Sequence, residues 1–239
     1  SRWDFQAGGY CSDVASARQA FAGEAQETQG KLHLGMTSLV AGYVISDFLA
    51  QYRRANPEVE INAIEESSEY LEHLLIGGEL DVAVMMTSRV TERHALHTEA
   101  LDVSPYRLWM PMGHRLAAQN SISLSDLKDE PLIMLNIDEM EQETVKLLSV
   151  FGTRPRVAFR TRSVEAVRSL VATGAGVALL PDLVYRPWSL EGDRIEARDV
   201  SGALPVVQVG LAWRRGSTLS KAAREFIDVA QSHNRISGS

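Results

Sequence analysis

The chain has 239 residues, 45% hydrophobic and 23% charged, enough to bury one large core or two small ones. Its 31 acidic residues outnumber 24 basic ones, and a formal net charge of −7 argues against direct binding to nucleic-acid phosphates. One cysteine, Cys11, excludes an intrachain disulfide framework and a cysteine-rich metal site. No apolar run approaches the ~18–20 residues of a membrane span, and the N-terminal SRWDFQAGGY lacks the basic-then-apolar order of a signal peptide. The expected compartment is the cytoplasm, with no membrane partner.

In chain order, CSDVASARQAFAGEAQETQ (residues 11–29) is rich in Ala, Gln and Glu and predicts a helix with little core face, exposed or packed on a partner and ended by Gly30. KLHLGM alternates as a strand, and Thr37-Ser38 stands at the cap of a helix carrying Val40, Val44, Phe48, Leu49 and Tyr52, stopped before Pro57. VEINAIE predicts a second strand. Ser67-Ser68 caps a helix with Leu71, Leu74 and Leu75 that ends at Gly77-Gly78, and LDVAVMM reads as a buried parallel strand. This is a βαβαβ unit, with right-handed crossovers expected.

Residues 87–100 are polar and weakly patterned. YRLWMPMG then predicts a strand, SLSDLKDEP a turn with a short capped helix, PLIMLN a strand, 138–151 a helix and RVAFRT a strand. In SVEAVRSLVATGAGVALLP, Val164, Val167, Leu170 and Val171 recur at helical spacing behind Ser163, a cap, and Glu165 in the first turn. Gly174 falls where a helix ends, and VALL closed by Pro181 reads as a short strand. The order is helix, then Gly174-Ala175-Gly176, then strand. A dinucleotide site needs strand, glycines, helix, and no Gly-Lys-Ser/Thr follows, so these glycines predict a tight turn, not a phosphate cradle. VVQVGLAW is a further strand, and Ser220 caps a last helix with Ala223, Phe226, Ile227 and Ala230 on one face.

Ligands in open α/β sheets sit beyond the carboxyl ends of strands, at helix N-termini. If two such halves face each other, Thr37, Ser38, Ser67, Ser68, Asn136 and Ser163 border one polar cleft. No cofactor motif is present. His94 and His97 are three apart but have no companion ligands, and read as solvated loop residues. Glu65 and Glu66 are adjacent on a strand and point to opposite faces, so they make a poor acid/base pair, though one of them can reach the cleft and favour a cationic ligand. Arg160 and Arg162 read first as solvated charges. The sharper alternative is an anion-binding Arg162 at the cleft rim. No G-x-S-x-G elbow is present.

With these segments in order, the chain resembles the effector-binding region of LysR-type transcriptional regulators. GKLHLGMTS, LLIGGELDVAV, MPMGHRLAAQNSISLSDLKDEPLIM, SVEAVRSLVATGAGVALLP and the terminal WRRGSTLSKAAREFIDVAQ carry the likeness over about residues 30–231. The resemblance implies an α/β fold of two Rossmann-like subdomains joined by two crossover strands, like type 2 periplasmic binding proteins. Subdomain I would cover 31–103 and 207–239, and subdomain II 104–206. It implies no catalysis, and a small-molecule effector, a carboxylate or amino acid, between the subdomains at Thr37, Ser38, Ser67, Ser68, Thr161 and Ser163. It also implies a homodimer or homotetramer through helices such as 40–54 and 164–173. Residues 1–30 are expected to be the end of a wing and a linker-helix remnant. The winged helix-turn-helix is missing, so the chain is expected to be a fragment whose parent binds DNA through that absent domain. A transport solute-binding protein of the same fold is the alternative, against which the linker helix counts. An enzyme related to porphobilinogen-polymerising deaminases would need a cofactor-bearing cysteine in the cleft, and Cys11 lies outside it.

Overall fold

The computed structural model describes residues 30–152 and 154–237. The helix expected over 11–29, and with it Cys11 and the wing remnant, lies outside these residues. Strands β1 (Lys31–Met36), β2 (Glu60–Glu65) and β3 (Val82–Met86) are parallel and stand in the order β2-β1-β3. The first helical segment is split into α1 (Ser38–Tyr43) and α2 (Ile45–Ala55), because Val44 leaves helical geometry with φ −121°. Helix α3 (Ser68–Gly77) follows β2, and left-handed Gly78 ends it.

Strand β3 shows why its sequence is continuously apolar. Val82, Val84 and Met86 join one core with Leu32, Leu34, Phe48 and Tyr52, while Ala83 and Met85 join a second under Leu71, Leu74 and Leu75 of α3. Both faces are covered, so alternation has no solvent side to mark. On the first face, α6 (Lys221–Ser237) packs Phe226 against Phe48 and Tyr52, with ring centroids 5.9 and 5.4 Å apart. The Tyr52 hydroxyl donates to the Ala222 carbonyl at 2.9 Å. Its burial pushes the phenol up to about 12. Ser220 caps α6 through Ala223 N–H.

Two strands connect the halves of the molecule. Strand β4 (Leu96–Pro111) pairs along its first part with β9 (Val206–Arg214), and along its last part with β7 (Ala178–Pro181) and β8 (Ile195–Asp199). Strand β9 also pairs with β3, giving a seven-stranded sheet in the order β2-β1-β3-β9-β4-β7, with β8 on β4. A separate parallel pair, β5 (Pro131–Leu135) and β6 (Arg156–Thr161), carries α4 (Met140–Val150) and α5 (Val164–Ala172). Strand β4 begins at Leu96, inside the stretch read as polar and weakly patterned, because between buried Leu96 and Leu101 stand only the half-buried polar His97, Thr98 and Glu99 and exposed Ala100. Strand β8 was not foreseen.

The Gly174-Ala175-Gly176 turn is structural in detail. Gly174 has φ +82°, and the N–H groups of Gly174 and Ala175 close the end of α5 on the carbonyls of Val171 and Leu170. Gly176 passes so close to β5 that a Cβ there would meet the Pro131 oxygen at 2.5 Å. Val177 then bonds Pro131 and Ile133 in a parallel bridge.

Candidate functional site

The carboxyl ends of β1, β2, β5 and β6 converge on one cavity of about 310 Å3. Ser38, Ser67 and Ser68 form the wall at the starts of α1 and α3. Asn136, Asp138, Gln142 and Arg162 form the wall after β5 and β6. The structure thus brings together Ser38, Ser67, Ser68 and Asn136 of the expected residues, with Glu66 and Arg162 beside them.

The other three expected residues sit differently. Thr37 is buried, its hydroxyl has no hydrogen-bond partner among the described residues, and it is not a lining group of this cavity. The Thr161 hydroxyl accepts from Ser163 N–H at 3.1 Å, and the Ser163 hydroxyl accepts from Ala166 N–H at 3.2 Å, so both serve the start of α5. Neither lines the cavity, although the Thr161 carbonyl holds Asn136 N–H at 2.8 Å next to it.

Even among the lining hydroxyls, two are engaged. Ser38 Oγ donates to Glu65 Oε1, and Ser67 Oγ accepts from Tyr70 N–H to cap α3. Among the described residues, the side chains of Glu66, Ser68, Asn136, Gln142 and Arg162 carry no hydrogen bond or ion pair, and are the uncommitted polar groups of the cavity. They comprise one anion, one cation, two amides and one hydroxyl, each able to meet a polar ligand without breaking an internal contact.

The central residue of the site is one the sequence did not single out. Asp138 follows Ile137 in the loop after β5 and reaches the opposite wall. Its carboxylate accepts from Ser38 N–H at 3.3 Å and from Leu39 N–H at 2.7 Å, taking the first free donors of α1. Burial pushes its carboxyl above the ordinary value, opposed by the bonds from Leu39 and Ser38 and by the Arg89 charge. Asp138 and Glu139 have φ of +47° and +59°, which starts α4 at Met140 rather than at 138. Behind the loop, the Arg89 guanidinium donates to the Asp138 carbonyl and pairs with Glu139 at 3.4 Å. The one signal for Asp138 was an acidic residue before a helix, and that reads as a cap of its own helix, not of one a hundred residues away.

The other candidates resolve simply. His97 packs on Trp213 with centroids 4.5 Å apart, and exposed His94 lies 3.4 Å from Glu92. Among the described residues no group of three or more His, Cys, Asp or Glu could hold a metal. Arg160 pairs with Glu141 at 2.7 Å. No described helix is long and apolar enough to cross a membrane.

An α/β chain crossed twice between its halves, with a polar cavity at the strand ends, is the architecture the sequence segments implied. The family model for the LysR substrate binding domain matches residues 25–235. The chain belongs to this family. As a LysR substrate binding domain, it is similar to the hydrogen peroxide-inducible genes activator of Dickeya chrysanthemi, 26% identical over 225 residues that cover 94% of this chain and 73% of the relative. Among solved structures it is similar to HinK, a LysR family transcriptional regulator from Pseudomonas aeruginosa, with a TM-score of 0.78 and 27% identity over 96% of this chain and 80% of that one. The C-terminal domain of a probable LysR family regulator from Rhodococcus sp. RHA1 gives 0.77 and 26% over 84% and 98%. The LysR substrate binding domain here is therefore an effector-binding domain of a transcriptional regulator, and this reading is favoured over the transport one.

Proposed function

We propose that this domain senses a small zwitterionic metabolite, an α-amino acid or a similar amine-bearing carboxylate, in the cavity between the β1–β2 and β5–β6 strand ends. The observation that carries this reading is the pair of uncommitted opposite charges, Glu66 and Arg162, on one cavity of about 310 Å3. Glu66 meets the ammonium, Arg162 meets the carboxylate, and Asn136 and Gln142 read the remainder. The volume is at the small end of ligand pockets, which favours a metabolite over a polymer.

The cavity would lie between subdomains of residues 31–103 plus 207–239 and of residues 104–206. The parent regulator would act in the cytoplasm as a homodimer or homotetramer and contact DNA through a winged helix-turn-helix elsewhere in the protein. Edge strands β2 and β6, which expose Ile64 and Phe159, support self-association more directly than helices 40–54 and 164–173. The buried residues of those helices, Phe48 and Tyr52 in one and Val167 and Arg168 in the other, are spent inside the chain.

Calorimetric titration with α-amino acids, aromatic acids and dicarboxylates tests the reading. An α-amino acid is expected to bind, with Glu66→Gln and Arg162→Ala each weakening it by about ten-fold or more. If only compounds without an amine bind, or neither substitution changes the affinity, the assignment is wrong.

A further inference from the structure

We propose that Asp138 is a releasable latch across the effector cavity, fastening the loop after β5 to α1 and controlling how far the cavity opens. This rests on the reading of the cavity as the effector site. The span is the first ground. Two backbone donors, Ser38 N–H and Leu39 N–H, are held by a carboxylate a hundred residues away, and these bonds join the two walls of the cavity directly.

The second ground is what the closed latch costs. Asp138 and Glu139 are consecutive non-glycine residues in the left-handed region, where L side chains crowd their own backbone. The carboxylate is desolvated and faces Glu65, a like charge that is itself bonded to Ser38 Oγ. Against these stand charge-assisted bonds to two N–H groups and the grip of Arg89 on the Asp138 carbonyl. The strain and desolvation oppose the bonds that hold the loop, which is what distinguishes a releasable element from a permanent strut.

The third ground is position. Ser68 and Glu139 line both the 310 Å3 cavity and a neighbouring one of about 560 Å3, whose lining also includes Arg89. The bridge from Arg89 through residues 138–139 to α1 therefore runs beside the boundary of the two spaces. Releasing it would let the two spaces join across Ser68 and Glu139, so a ligand larger than an amino acid would be admitted only when Asp138 lets go.

Hydrogen exchange on the unliganded 239-residue chain tests the latch. Asp138→Asn is expected to speed amide exchange in residues 38–43 and 136–140 by about ten-fold or more, with β3 and β9 within about two-fold of the wild type. Arg89→Met, which loosens the loop from behind, is expected to act on the same two segments, and it carries the test if Asp138→Asn fails to fold. Unchanged exchange at 38–43 in both variants overturns the proposal. So does uniformly faster exchange that includes β3 and β9 in both, since Asp138 would then be a determinant of the whole fold. No ligand enters either arm, so failure of the amino-acid reading and failure of the latch are separately visible.

Discussion

Replacing each glycine of Gly174-Ala175-Gly176 by alanine separates two reasons for a glycine. At Gly176 the added methyl would stand 2.5 Å from the Pro131 oxygen and 3.0 Å from Ile133 Cδ1. The oxygen is backbone and already accepts from Val177 N–H at 2.9 Å, while Ile133 N–H donates to Val177 at 2.8 Å, so β5 cannot yield without stretching this bridge. Overpacking of this kind costs about 1–3 kcal/mol, and a weakened buried hydrogen bond adds about 1 kcal/mol. At Gly174 nothing stands within 4 Å, but φ is +82°, so alanine pays only the left-handed penalty of about 1 kcal/mol. Urea unfolding followed by tryptophan emission measures both, provided the denaturant slope is unchanged. Gly176→Ala is expected to lower stability by about 2–4 kcal/mol and Gly174→Ala by about 1 kcal/mol. If Gly174→Ala proves the more damaging, the close approach of the turn to β5 is not what Gly176 is for.

Two further outcomes follow from the site. Ser163→Ala removes the cap of α5 and is expected to cost about 1 kcal/mol while leaving effector affinity within about two-fold; a large affinity loss at unchanged stability would return the hydroxyl to the site. For Asp138 the sign of the pH dependence is set by its raised carboxyl value. The folded chain holds a proton that the unfolded chain has already released, so over the range just above 3.8 the wild type loses stability as pH rises. The melting temperature of Asp138→Asn relative to the wild type is therefore expected to climb across that range and then level, and a difference that falls with pH would contradict the burial argument.

Local pattern located most of the fold. Periodicity placed β1 and α5, a continuous apolar run placed β3, and the terminal helix followed from one apolar face behind Ser220. Strand β4 was foreshortened because polar residues surround its buried Leu96 and Leu101. The break at Val44 was invisible, since Val40, Val44 and Phe48 keep helical spacing across it. The site was legible only in outline. A serine after a strand marks a helix start, and Ser38, Ser67 and Ser68 do meet at the cavity. The same capping chemistry misleads at Ser163, whose hydroxyl is spent on its own helix. Asp138 was out of reach because its role depends on a contact between distant segments, and no local periodicity encodes that.

Helix α1 gives this contact its significance, because the two ends of α1 are held to the second half of the molecule in different ways. At its C-terminal end the Tyr43 hydroxyl accepts from Arg168 at 3.0 Å, and Arg186 lies 5.3 Å from the Tyr43 ring centre. Arg168 is 1% exposed and also engages Glu165, the Val184 carbonyl and the face of Trp109, so moving it would strand a buried guanidinium. At the N-terminal end the fastening is Asp138, strained and bordering a cavity. If Asp138 releases as proposed, Tyr43 is the fixed point and the start of α1 moves, only as far as Leu39 and Val40 allow, since both are buried in the core shared with Phe48, Tyr52 and Phe226.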